Sequence, residues 1–105
     1  MPSEYLMAHL SKLTSRDAVL AAMAEYDQLG REAFLELHGY QHANGVFVKH
    51  EGRPYDQRAI IGVAYGKQYP DEGPLDPATF RGGLRTGKKF LVPLGFDVVN
   101  IRTQR

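Results

Sequence analysis

Val46-Phe47-Val48-Lys49-His50-Glu51-Gly52-Arg53-Pro54-Tyr55-Asp56-Gln57-Arg58-Ala59-Ile60-Ile61-Gly62-Val63-Ala64-Tyr65 contains the change of pattern that decides the fold. Its first five residues are rich in β-branched and aromatic side chains, as strands favour. Glu51-Gly52 interrupts them, and a glycine between two short extended runs predicts a hairpin. Pro54 lacks the N–H that a central strand would donate, so the second arm is expected at an edge. From Asp56 the period lengthens. Asp56 is placed to cap a helix over Gln57–Tyr65 that Gly66 would stop. Ala59, Ile60, Val63 and Ala64 share one face of that helix, and Ile61 lies beside it. A helix apolar on most sides belongs at the centre of a core.

Upstream, Thr14-Ser15-Arg16-Asp17 opens a helix with Thr14 as the expected cap. Val19, Ala22, Met23 and Tyr26 recur at i, i+3, i+4 and i+7, and Gly30 is the expected stop. A second helix follows at once, from Arg31 to His38, with Ala33, Phe34 and Leu37 expected inward. Residues 1–13 form a leader in which Leu6, Met7, Leu10 and Leu13 could make a helical turn. Downstream, residues 67–77 hold Pro70, Pro74 and Pro77 and read as a loop. Asp76-Pro77 starts a short turn. A last helix is predicted from Arg85 to Leu94, bent or cut short by Pro93. Phe96 to Ile101 is a closing strand able to pair with the hairpin. The fold class is α+β: a small single domain, about four helices around a short antiparallel sheet, over residues 14–105.

The 105 residues suffice for one domain with one modest core. Hydrophobic residues make up 43% and charged residues 24%, which argues against disorder. No apolar run reaches a membrane span, and the start of the chain lacks the basic and apolar regions of a signal peptide. With no cysteine there is no disulfide, thiol nucleophile or thiolate metal site. A cytoplasmic location is the expectation. The net charge of +1 is uneven. Residues 1–30 carry −2, residues 31–75 carry −1, and residues 76–105 carry +4. A basic C-terminal third suits a polyanion and equally suits a solvated face.

Catalytic signatures are absent. His9, His38, His42 and His50 share no ligand spacing, so neither a metal nor a cofactor is expected. There is no Gly-x-Ser-x-Gly and no Walker loop, and no enzymatic activity is expected. The segment with most chemical promise is Arg81-Gly82-Gly83-Leu84-Arg85-Thr86-Gly87-Lys88-Lys89. Its glycines permit close backbone approach, a helix start follows, and four cations and a hydroxyl surround it. The alternative is a Gly-Gly turn before a solvated basic helix.

Several stretches together resemble a known family. These are Gly30-Arg31-Glu32-Ala33-Phe34-Leu35, the run Tyr55-Asp56-Gln57-Arg58-Ala59-Ile60-Ile61-Gly62-Val63-Ala64-Tyr65-Gly66, Gly73-Pro74-Leu75, Phe80-Arg81-Gly82-Gly83 and Leu94-Gly95-Phe96. Their order from about Arg16 to Val99 resembles the N-terminal head domain of ScoMcrA-like modification-dependent (type IV) restriction endonucleases. There the head precedes DNA-reading modules and an HNH nuclease. The resemblance implies a DNA-binding module, reading modified DNA in a restriction or defence setting, without nuclease activity of its own.

Double-stranded DNA, plain or modified, is therefore the expected partner. Lys49, His50, Arg53, Tyr55 and Arg58 would form one wall of the interface. Arg81, Gly82, Gly83, Arg85, Thr86, Lys88 and Lys89 would form the other. Tyr40, Tyr55 and Tyr65 are candidates for a base pocket. The competing reading is a protein-interaction module that docks on a nuclease partner or forms a homodimer.

Overall fold

The computed structural model describes residues 12–80 and 83–101. Most of the expected leader lies outside them. Four helices occur in the described residues: α1 (Arg16–Leu29), α2 (Arg31–His38), α3 (Gln57–Gln68) and α4 (Leu84–Phe90). Short 3-10 turns occupy Pro77–Thr79 and Val92–Leu94. Three strands, β1 (Val46–His50), β2 (Arg53–Asp56) and β3 (Asp97–Asn100), form one antiparallel sheet in the order β2-β1-β3. The protein is a small α+β domain with a hairpin. No described helix is long and apolar enough to cross a membrane.

The hairpin follows from its turn. Glu51 (φ 52°) and Gly52 (φ 80°) both take positive φ, as a two-residue loop matched to strand twist requires. The turn pairs His50 with Arg53 and Val48 with Tyr55. Pro54 sits on the edge strand β2, where no ladder donor is missed. β3 pairs with the other side of β1, Val48 opposite Val98.

The central helix is α3. Ala59 through Tyr65 are all buried, because α1 covers one side and the sheet another. The α1 stripe is buried as predicted: Val19, Ala22, Met23 and Tyr26, joined by Ala18. Phe80, Phe90, Leu91 and Phe96 close the core from the C-terminal third, and Leu13 enters it from the other end.

Local expectations change in five places. The cap of α1 is Ser15 rather than Thr14, with its Oγ accepting from the Ala18 amide at 3.0 Å. Thr14 is drawn away by Gln68, whose Nε2 donates to Thr14 Oγ1 and whose Oε1 accepts the amides of Thr14 and Ser15. In α2 the inner residues are Phe34 and Leu35, whereas Ala33 is exposed and Leu37 is 65% exposed. Contact of Phe34 with Tyr26, ring centroids 5.1 Å apart, sets that phase. Asp56 precedes α3 but gives no side-chain cap, because its carboxylate is engaged elsewhere. Gly66 does not stop α3. It lets the Gly73–Pro74 backbone press against the helix, where a Cβ would lie 2.5 Å from the Pro74 nitrogen. The last helix ends at Phe90, and Pro93 stands in the 3-10 turn beyond it.

Candidate nucleic-acid interface

The described residues include ten of the thirteen lysines and arginines. Six are committed to acceptors. Lys12 pairs with Glu72, Arg31 with Asp56, Arg53 with Asp27 and Lys67 with Glu25. Arg16 donates to the Leu94 carbonyl. Arg58 donates to the carbonyls of Pro77 and Phe80 and lies over the rings of Tyr40 and Phe80. The remaining four, Lys49, Arg85, Lys88 and Lys89, are exposed and have no ion pair or hydrogen-bond acceptor among the described residues. Three of these lie on α4 at i, i+3 and i+4, hence on one face. They border a shallow hollow with Leu84, while Gly87 and Phe90 face inward.

Phe90 packs α4 into the core, and the start of α4 is tied by Gln57 in the first turn of α3. Its Nε2 donates to the Gly83 carbonyl at 2.8 Å. Its Oε1 faces Gly87, where an added Cβ would stand 2.0 Å away, and it has no hydrogen-bond partner. Beside it opens a cleft of about 750 Å³, bounded by the start of α3, the chain at 41–46, the turn at 76–78 and Gly83.

Asp56, only 1% exposed, anchors the cleft wall. Its carboxylate accepts from Tyr26 Oη (2.5 Å), Arg31 Nε and Nη2 (both 2.8 Å) and the Ala43 amide (2.8 Å). Burial alone pushes this carboxyl up. The Arg31 guanidinium, the Tyr26 hydroxyl and the Ala43 amide outweigh burial and hold it below its ordinary value. Tyr26 is pushed upward by burial and by the same carboxylate. His42, also on the cleft, has its Nε2 at 2.8 and 3.0 Å from the two Glu32 carboxylate oxygens.

The expected walls are brought together only in part. Gly83, Arg85, Thr86, Lys88 and Lys89 occur at and along α4, while Arg81 and Gly82 lie outside the described residues. On the hairpin, Lys49 is exposed, whereas half-buried His50 packs against Phe96 and Arg53 is tied to Asp27. Arg58 props the 77–80 turn. The three tyrosines are core residues. Tyr40 Oη donates to the Leu75 carbonyl, Tyr55 Oη to Asp27 and Tyr65 Oη to Glu72. They stack on different neighbours, Phe80, Tyr26 and Tyr69 respectively. Sequence reasoning missed Gln41, His42, Asn44 and Gln57 on the cleft. Only Gln57 left a signal, as a polar residue opening an otherwise apolar helix.

No curated protein and no solved structure matches the chain. A family model does, over residues 11–100, nearly the whole length. The chain belongs to the family described as the ScoMcrA-like N-terminal head domain.

Proposed function

We propose that this head domain is a DNA-binding module of a restriction system, reading modified DNA and leaving cleavage to a nuclease partner. The observation that carries the reading is the division of the cations. Among the described residues six are spent within the fold, and three of the four left over share one face of α4. Cations without an internal acceptor are the ones free to neutralise phosphate and release counterions. Such contacts supply affinity and orientation rather than sequence. α4 has only seven residues, so the side chains, not the helix start, carry the proposed contacts.

Fluorescence anisotropy with plain, methylated and phosphorothioated duplexes tests this. At about 50 mM salt all three should bind, more weakly as salt rises. One of the modified duplexes should bind more tightly than the plain one. Equal binding of all three removes the modification from the account and leaves the DNA. Absence of binding to every duplex overturns the proposal and favours the interaction module, for which outward Leu29 and Leu37 are the first surface to test.

A further inference from the structure

We propose that the cleft at the start of α3 receives a single nucleobase turned out of a DNA strand whose phosphates lie along α4; this rests on the DNA-binding reading above. Two neighbouring surfaces differ in chemistry. The α4 face is cationic and exposed. The cleft is close to charge balance: its lining holds one arginine, Arg58, and one further carboxylate, Asp76, while the Asp56 charge is neutralised by Arg31. A phosphate entering it would be repelled by the Asp76 carboxylate, a cost that a neutral ring does not incur.

The lining suits such a ring. Val46, Ala59, Pro77 and Ala78 give apolar contact, and the side-chain amide of Gln41 offers both a donor and an acceptor. His42 adds a flat imidazole held by Glu32. The volume of about 750 Å³ falls within the range of small-molecule sites. Gln57 borders the cleft and binds the carbonyl of Gly83 at its rim, with its Oε1 turned to Gly87.

Position links the two surfaces. Gly83 lines the cleft and immediately precedes α4. Arg85 and Lys88 follow it by two and five residues, about 3 and 7.5 Å of helix rise. In the proposed complex a strand held by those cations runs past Gly83, and one base rotated from the stack enters the cleft. Extrusion costs stacking energy that contacts in the cleft must recover, so a weakened pair is the favoured substrate.

The test uses duplexes with a single 2-aminopurine stepped along one strand, opposite a mismatch. Unstacking raises the fluorescence of this base. The protein should raise it at one position. Ala78→Phe and Ala43→Leu, which fill the cleft from two sides, should abolish most of that rise while duplex anisotropy stays near the parental value. Binding without a rise at any position overturns the nucleobase site and leaves DNA binding intact. A rise that persists in both variants, each still folded by circular dichroism, also overturns it. Loss of all duplex binding by the parent overturns both readings together.

Discussion

The Asp56 carboxylate takes four hydrogen bonds from three parts of the chain, and it ties α1, α2 and the 41–46 segment to the start of α3. Sequence inspection places Asp56 correctly before the helix and misjudges its role. A cap is a local relation, whereas Arg31 and Tyr26 are 25 and 30 residues away. Asp56→Asn keeps the volume and removes the charge. It should cost about 1–3 kcal/mol at pH 7, because the half-exposed Arg31 guanidinium and the Tyr26 hydroxyl lose a charged acceptor. The carboxyl lies below its ordinary value in the folded state, so its stabilisation is complete above about pH 4. It is lost as pH falls through the folded value. Glu25 acts with the same sign. Burial pushes its carboxyl up, but Lys67 and His38 outweigh this and hold it down. Urea denaturation at pH 7 and pH 3 should show the gap between parent and Asp56→Asn narrowing in acid; an equal gap at both would contradict this assignment.

At the scale of elements, the hairpin, the central helix and the closing strand are legible because each is set by local pattern. The β-branched and aromatic run of β1, the two-residue turn, Pro54 on an edge and the apolar faces of α1 and α3 all follow from neighbours in sequence. Gly66 is misread as a stop because a stop and a close approach need the same residue. In α3 it faces the backbone of Gly73 and Pro74, distant packing that no local pattern announces. Gly66→Ala separates the two cases. At a mere helix interior, alanine would gain up to about 1 kcal/mol from propensity. Here its Cβ would stand 2.5 Å from the Pro74 nitrogen and 2.8 Å from the Gly73 carbonyl carbon, so the loop must shift. A net loss of about 1–3 kcal/mol in chemical denaturation is expected, as for other overpacked sites. A more stable variant would refute the contact.

Across the whole molecule, the +4 charge of the last thirty residues is visible in the sequence, but not which cations the fold consumes. Arg53 and Arg58 look as available as Arg85, and only tertiary structure shows them engaged. The cleft is invisible for the same reason, since its walls come from segments brought together by the core. The central claim is that uncommitted cations, rather than net charge, bind DNA. The most direct measurement compares two double variants with the same charge change: Arg85→Ala with Lys88→Ala, and Lys12→Ala with Lys67→Ala. Duplex affinity is followed by anisotropy across a salt series. The account predicts that the α4 pair weakens binding and flattens the log–log salt slope by about 1.8, or 0.9 for each phosphate no longer neutralised. The Lys12/Lys67 pair should leave affinity and slope close to the parent. Equal weakening by both pairs, or unchanged binding in the α4 variant, would contradict it.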